Sequence, residues 1–311
     1  MTVNQTEKNL STKVSQTALW TALVTPFDQN GEIDFASLSK AAIAQADAGN
    51  GILLLGSTGE GLALSLSEQR AIVKHVCELK LSAPIMVAVG GFNLQAQLDW
   101  VAECNQLPID AYLLGTPIYA KPGPVGQTHW FTQLLDAAKA PCMLYNVPSR
   151  SGVEVSLLSM KTLQHHQNCW AMKEASGDLN KFLAYRAQCP ELALFSGEDA
   201  MLPYLASAGA QGLVSVCSNA WPQATHRYVS LSLAGNTQGL FPLWQQAVDA
   251  LFQVANPIPV KVLMYQQGII ANQTLRAPLT HLELAANNGL AEADNTINQW
   301  FSAQNIAQAA V

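Results

Sequence analysis

The sequence predicts an α/β protein, a (β/α)8 or TIM barrel with additional C-terminal helices, and three observations favour this fold. Short apolar runs alternate with amphipathic segments of helix length. The runs are mostly apolar throughout instead of alternating, as expected of parallel strands that are buried on both faces. Eight strand–helix units fit before residue 235, and eight right-handed units close most naturally into a barrel. An open doubly wound sheet is the structural alternative.

Helix-length segments separate the predicted strands along the chain. The segment that begins near Ser67 has an apolar stripe starting at Ile72, and Ser65 and Glu68 have the spacing of a capping box. The predicted strands span residues 18–27, 51–57, 84–90, 111–117, 141–148, 169–176, 192–197 and 212–216.

Three segments are expected along the chain. Residues 1–17 are polar and lack the apolar centre of a secretory signal, so they are interpreted as a flexible N-terminal extension. Residues 18–235 form the predicted barrel. Residues 236–311 have a helical pattern and are expected to pack beside the barrel as a C-terminal helical region.

The composition indicates a globular chain with a large core. Hydrophobic residues make up 49% of the chain and charged residues only 12%, which excludes disorder over most of its length. The formal net charge is −6 and no long basic run is present, so no nucleic-acid partner is expected. No uncharged apolar segment reaches the roughly 18–20 residues of a membrane span, so no membrane partner is expected.

The cysteines and histidines predict neither disulfides nor a metal site. The six cysteines are scattered, form no C-x-x-C pair and mostly have apolar neighbours, as in a reduced cytosolic protein. We therefore expect a cytoplasmic location. His165 and His166 are adjacent on a predicted helix end, which directs their rings apart, and only Cys169 is nearby as a third ligand type. No phosphate-binding or dinucleotide motif is present, and no cofactor is expected.

Lys173 is the candidate nucleophile. In a barrel the chemistry lies at the carboxyl ends of the strands, and Lys173 lies in the sixth predicted strand, within C-W-A-M-K-E-A-S. Burial disfavours the ammonium form, so such a lysine can act as a free amine. The alternative is a strand-end lysine that pairs with Glu174, and position alone does not decide between the two interpretations.

Polar residues after three other predicted strands could complete a site. The Gly-rich segment 51–60 exposes backbone N–H groups near Ser57 and Thr58, where a carboxylate could bind, although an ordinary βα turn has the same pattern. Tyr145 could relay protons and Arg150 could grip a carboxylate; a core tyrosine and a solvated loop arginine are the alternatives. Tyr119 is a further relay candidate, although a packed aromatic is the simpler interpretation.

Together these motifs resemble the dihydrodipicolinate synthase family, within the superfamily that contains N-acetylneuraminate lyase and related 2-keto-acid aldolases. The resemblance runs from about Trp20 to about residue 270. It rests on the segments G-I-L-L-L-G-S-T-G-E, T-P-I-Y, Y-N-V-P-S-R-S-G, M-K-E-A-S-G, F-S-G-E-D and G-L-V-S-V-C-S-N. It implies a class I aldolase-type lyase that condenses pyruvate with L-aspartate 4-semialdehyde in the diaminopimelate route to lysine.

The resemblance also implies catalytic roles. Lys173 forms the Schiff base with pyruvate, and Tyr145 moves protons during imine and enamine formation. Ser57 and Tyr119 complete a hydroxyl relay, with Tyr119 reaching in from a neighbouring subunit. The family is usually a homotetramer built as a dimer of dimers.

Substrate contacts follow from the same resemblance. Backbone N–H groups at Ser57 and Thr58 hold the pyruvate carboxylate, and Arg150 binds the carboxylate of the semialdehyde. Backbone groups at Gly197 and Val214 line the pocket.

The chain departs from the family pattern at two places, and the first departure leaves an alternative function open. Synthases usually carry threonine where this chain has Ser57, whereas the lyase branch often carries serine. The alternative is another Schiff-base pyruvate aldolase that acts on a 2-keto sugar acid such as N-acetylneuraminate, and Arg150 argues against it. A barrel that has lost catalysis and serves only as a binding protein is a second alternative, and the lysine, both tyrosines and the arginine speak against it.

The second departure concerns regulation. In lysine-sensitive members of the family, polar side chains at a subunit interface bind the inhibitor. The matching positions here are Leu66, Gln69, Gln97 and Ile118, which predicts weak or absent inhibition by lysine.

Overall fold

Eight parallel strands close into a barrel in the order β1 to β8, with β1 paired to β8. The computed structural model describes residues 10–309, with side chains described to residue 306. The predicted (β/α)8 fold is confirmed, and each strand lies within its predicted run. The strands are β1 Leu19–Ala22, β2 Gly51–Leu54, β3 Ile85–Val89, β4 Ala111–Gly115, β5 Cys142–Asn146, β6 Cys169–Glu174, β7 Ala193–Ser196 and β8 Gly212–Ser215.

Helices connect the strands, and others follow the last strand. Helix α3 begins after the capping box predicted from Ser65 and Glu68, in which the Ser65 hydroxyl accepts from the Glu68 N–H and the Glu68 carboxylate accepts from the Ser65 N–H. The helices are α1 Thr12–Ser15, α2 Phe35–Asp47, α3 Leu66–Glu78, α4 Leu94–Cys104, α5 Pro124–Ala137, α6 Pro148–Ser151, α7 Leu157–Leu163, α8 Leu179–Gln188, α9 Leu202–Ser207, α10 Pro222–Leu233, α11 Leu240–Phe252, α12 Ile258–Gln266 and α13 Leu290–Ala309. Short 3₁₀ turns span Gly61–Ala63, Cys217–Asn219 and His281–Glu283.

Two layers of apolar side chains make up the core. One fills the barrel interior and includes Trp20, Met86, Met143 and Phe195. The other lies between the strands and the surrounding helices. From Ala171 to the end of β6 the side chains alternate between the two layers, with Met172 in the layer facing the helices, so residues two apart share a layer. Ala171 belongs to the interior layer, and Lys173 on the same strand therefore also points into the barrel.

The end of the predicted N-terminal extension contains a short helix that contacts the barrel. Residues 1–9 lie outside the described part of the chain, but Thr12–Ser15 form helix α1. Val14 is 1% exposed and packs with the interior layer, and Leu10 packs against the same layer. Burying Val14 against the barrel interior stabilises this helix, and the flexibility of the extension stays a prediction.

Within residues 236–309, the C-terminal segment forms helices α11, α12 and α13, which are separated by loops. Helix α12 ends at Gln266, and Gly268 has a φ of 67°. Helix α13 begins only at Leu290, after Gly289 with a φ of 68°. Each glycine adopts a left-handed conformation that ends or precedes a helix at low cost. Within residues 10–309, no helix is long and apolar enough to cross a membrane.

Candidate active site

Lys173 and Tyr145 lie side by side inside the barrel. They occupy paired positions on β6 and β5, and the Lys173 Nζ atom is 4.4 Å from the centre of the Tyr145 ring. Lys173 is only 6% exposed. The strand register thus places a buried amine against a phenol at the carboxyl end of the barrel, where reactive residues are expected.

The predicted alternative, a Lys173–Glu174 pair, is not formed. Within the described residues no carboxylate lies within 4.0 Å of the Lys173 ammonium group. The Glu174 carboxylate instead accepts from Asn146 Nδ2 at 2.7 Å and from the Ser176 N–H at 3.1 Å. Burial is the main influence on that carboxyl group and raises its pKa. Consecutive strand residues point to opposite faces, which separates Lys173 from its neighbour.

Gly197 leaves space for the lysine side chain. A Cβ atom at Gly197 would lie 2.8 Å from Lys173 Cε and 2.4 Å from Ala175 Cβ, distances that ordinary packing does not allow. The predicted pocket residue therefore lies against Lys173. Val214 is fully buried on β8 in the interior layer.

The loop after β2 is tightly turned, and its left-handed residues are not glycines. Left-handed backbone occurs at Leu55, with a φ of 62°, and at Glu60, with a φ of 54°. Gly59 and Gly61 are needed for a different reason, because a Cβ atom would lie 2.9 Å from Leu23 O at the first and 2.0 Å from Leu55 O at the second. Two non-glycine residues in this conformation make the loop strained.

This loop presents two adjacent N–H groups. Within residues 10–309, the backbone N–H groups of Ser57 and Thr58 have no protein acceptor. Oriented N–H groups without internal partners form a concave site for an anion. The loop therefore has two backbone donors without an internal partner, and carboxylate binding there stays a prediction.

Asn256, which sequence reasoning missed, connects two predicted binding residues. Its side-chain Nδ2 donates to Thr58 Oγ1 at 3.0 Å, and its backbone carbonyl accepts from Arg150 Nη2 at 3.3 Å. Arg150 itself is exposed on α6, whose first residue, Pro148, has the fixed φ that suits a helix start. A residue of the C-terminal region thus joins the two loops that the sequence assigned to carboxylates.

A cavity of about 310 Å³ opens beside these residues. Ser57, Tyr145 and Arg150 line it, which brings three predicted site residues to one space. The cavity is also lined by Leu66, Gln69, Gln97 and Ile118, the four positions that the family resemblance matches to an inhibitor site.

Tyr119 stands apart from this group within the single chain. It is 88% exposed and has a φ of 65°, a conformation that non-glycine residues rarely adopt. The neighbouring Ile118 lines the cavity, but Tyr119 does not. An exposed tyrosine held by a strained backbone is a candidate for contact with another chain.

Glu198 and Asp199 follow Gly197 and were not assigned from the sequence, although their position directly after β7 is a usable signal. Burial and the neighbouring Asp199 carboxylate raise the pKa of Glu198, and the nearby charge of Lys173 opposes that rise. Asp199 accepts from the Ser215 hydroxyl and from the Val216 N–H at 3.0 Å. Glu198 is thus an acid close to Lys173, whereas Asp199 holds the turn after β8.

No group of three or more potential metal ligands occurs among the described His, Cys, Asp and Glu side chains. The two adjacent histidines separate as expected from their position: His165 Nδ1 lies 3.3 Å from Glu191 and His166 Nε2 lies 3.0 Å from Asp136. What the arrangement offers is a buried amine, a neighbouring phenol, a loop with two unpartnered N–H groups and a guanidinium group. These groups suit imine chemistry on a substrate that carries a carboxylate beside its carbonyl.

Comparison with known proteins agrees with this chemistry. Residues 15–296 match the model of the dihydrodipicolinate synthetase family. The 4-hydroxy-tetrahydrodipicolinate synthase of Francisella tularensis subsp. novicida is 48% identical over 91% of this chain and 97% of its own length. The structure of the synthase from Methylacidiphilum fumariolicum aligns with a TM-score of 0.85 at 29% identity, covering 91% of this chain and 96% of that one. The dihydrodipicolinate synthase of Acinetobacter baumannii complexed with pyruvate aligns with a TM-score of 0.84 at 29% identity, covering 91% and 99%. The chain therefore belongs to the dihydrodipicolinate synthetase family.

Proposed function

We propose that this chain is a lyase that condenses pyruvate with L-aspartate 4-semialdehyde to form 4-hydroxy-tetrahydrodipicolinate, in the diaminopimelate route to lysine. The observation that carries the proposal is the contact of the buried Lys173 with Tyr145 inside the barrel of a chain from this family. Related proteins that share most of its length have the activity in their names.

The proposed reaction begins at Lys173. Its neutral amine attacks the keto carbon of pyruvate, water leaves, and an imine forms. Tyr145 transfers the protons of these steps and, with Ser57, assists removal of a methyl proton to give the enamine. N–H groups at Ser57 and Thr58 hold the pyruvate carboxylate throughout.

The second half of the reaction uses the exposed part of the site. Arg150 binds the carboxylate of the semialdehyde, and the enamine carbon attacks its aldehyde. The amino group of the product then attacks the imine carbon and displaces Lys173, which closes the ring and restores the free amine. Gly197 and Val214 shape the pocket around this chemistry.

A coupled assay distinguishes this activity from that of a sugar-acid aldolase. Pyruvate and semialdehyde should be consumed together, with the cyclic product detected by mass spectrometry, while cleavage of N-acetylneuraminate should be negligible. Arg150 supports this outcome because a guanidinium group suits a second carboxylate substrate. Cleavage of the sugar acid without condensation of semialdehyde would show that the chain belongs to the lyase branch.

The assembly and location are part of the proposal. We infer a homotetramer built as a dimer of dimers in the cytoplasm, with Tyr119 acting in the partner's site; its exposure and strained backbone support this role. Mixing an inactive Lys173→Ala chain with an inactive Tyr119→Phe chain tests it. Subunit exchange should restore activity, because one site of each mixed dimer then has both residues. Persistent inactivity after verified exchange places Tyr119 in its own subunit's site.

A further inference from the structure

A buried ion pair connects the C-terminal region to the loop that carries Ser57 and Thr58. Lys261 on α12 is fully buried, and its Nζ atom lies 2.8 Å from Glu60 Oε1. The ammonium group also donates to the Thr25 carbonyl at 2.9 Å. These contacts are shielded from water. Charge interactions are stronger in such a buried environment than in water.

The other faces of this pair are also occupied. Lys261 Nζ lies 4.3 Å from the centre of the Phe27 ring. The second carboxylate oxygen of Glu60 accepts from the Arg276 N–H at 2.7 Å, and the Arg276 guanidinium pairs with Glu68. Both oxygens of Glu60 are therefore held by groups that come from the C-terminal region.

Glu60 is also the residue at which the loop is strained. Its φ of 54° is a conformation that a non-glycine residue keeps only when surrounding contacts enforce it. The Glu60 N–H donates to the Ser57 carbonyl at 3.1 Å, so the strained residue directly closes the turn that presents the Ser57 and Thr58 N–H groups. Releasing the Glu60 side chain would let this turn relax.

We propose that the Lys261–Glu60 pair positions the backbone N–H groups of Ser57 and Thr58, and that both residues thereby determine the affinity of the site for the pyruvate carboxylate. Both residues are buried and neither lines the cavity, so each is assigned as a positioning residue. The inference rests on the proposed function, since it assigns the loop to pyruvate.

Two variants test this role. Lys261→Met removes the charge but keeps most of the chain length, and Glu60→Gln keeps the size of the side chain while removing its charge. In both, the KM for pyruvate should rise about tenfold or more while kcat at saturating pyruvate stays within about threefold, as expected when binding common to ground and transition states is lost. The KM for semialdehyde should change little.

Lys74→Met is the matched control, because Lys74 forms an ion pair with Glu78 on the exposed face of α3. It should leave every constant unchanged. Circular dichroism and thermal unfolding show which variants are folded. If Lys261→Met does not fold, the KM for pyruvate of Glu60→Gln tests the inference.

The outcomes separate this inference from the proposed function. A folded variant with lower stability and an unchanged KM for pyruvate would make the pair merely structural and overturn the inference. Wild-type protein that forms no borohydride-trapped adduct with saturating pyruvate would overturn the proposed function instead. A raised KM for pyruvate with complete trapping at saturation supports both.

Discussion

The ammonium nitrogen of Lys173 lies 4.4 Å from the centre of the Tyr145 ring, on the neighbouring strand of the barrel. The two side chains leave the backbone at paired positions, so the strand register and not a flexible loop sets their separation. Groups held on rigid elements keep the geometry that proton transfer requires. Tyr145 is thus placed to serve the amine that is proposed to react with pyruvate.

Removing the Tyr145 hydroxyl should slow the reaction. We expect Tyr145→Phe to lower kcat by roughly 10²–10⁴-fold, the usual contribution of a positioned acid or base. Tyr112→Phe is the matched control, because the Tyr112 hydroxyl donates to Asn105 Oδ1 at 2.9 Å in the core. The control should lose about 1 kcal/mol of stability with normal kcat. Steady-state kinetics that show a near-normal kcat for Tyr145→Phe would exclude it from the relay.

Truncating Arg150 should weaken binding of the second substrate and spare pyruvate. A charge-assisted pair is worth on the order of 1.5–3 kcal/mol, so Arg150→Ala should raise the KM for semialdehyde at least about tenfold. Adduct formation with pyruvate at Lys173 should largely survive. Arg70→Ala, which breaks an exposed pair with Glu103, is the control. Loss of the pyruvate adduct with normal semialdehyde binding would reverse the assignment.

Lys261 should give the stability of the protein a distinctive pH dependence. Burial lowers its pKa from 10.5 to about 8, and the attraction of Glu60 only partly opposes this, while Arg276 adds to it. Glu68, paired with Arg276, completes the charged groups of this network. Between pH 8 and 10.5 Lys261 keeps its proton in the unfolded chain and loses it in the folded one. The contribution of Lys261 to stability therefore rises as the pH increases through this range.

Denaturant unfolding of wild type and Lys261→Met measures this effect. From pH 7.5 to 9.5 the stability of wild type relative to the variant should increase by roughly 2 kcal/mol, at one fixed protein concentration. Lys74→Met should follow wild type. Parallel pH profiles for wild type and Lys261→Met would show that Lys261 does not titrate in this range.

Lysine should inhibit the enzyme weakly or not at all. The residues at positions 66, 69, 97 and 118 line the cavity but offer a bound lysine no charged partner. Gln69 Nε2 already donates to the Gly61 carbonyl at 3.0 Å. Each charged hydrogen bond that is missing costs roughly 1.5–3 kcal/mol of binding. Initial rates measured against L-lysine at fixed substrate concentrations test this, and half-inhibition below 1 mM would contradict it.

The fold could be predicted because buried parallel strands leave a local signal. Each apolar run and each helical stripe reports its own burial, as in the stripe of α3 and its capping box at Ser65. The position of Lys173 in such a run also located it correctly within the barrel. That Glu174 pairs with Asn146 and the Ser176 N–H, and not with Lys173, depends on contacts that only the structure shows.

The parts that could not be predicted depend on contacts between distant segments. Glu60 and Lys261 are separated by 201 residues, and neither local pattern indicates the other. The left-handed backbone at Glu60 also has no local sign in the sequence, so the pattern favours glycines for the turn. Asn256 was missed for the same reason, since its partners Thr58 and Arg150 lie on other loops.

Trapping of the pyruvate adduct tests the central claim most directly. Incubation with pyruvate and borohydride, followed by peptide mass spectrometry, should give a stable reduced adduct on Lys173 alone. Lys173→Arg should abolish it, whereas Lys74→Met should leave it unchanged. Absence of an adduct in wild type, or an adduct on Lys161 or Lys181 instead, would contradict the assignment of Lys173 as the Schiff-base nucleophile.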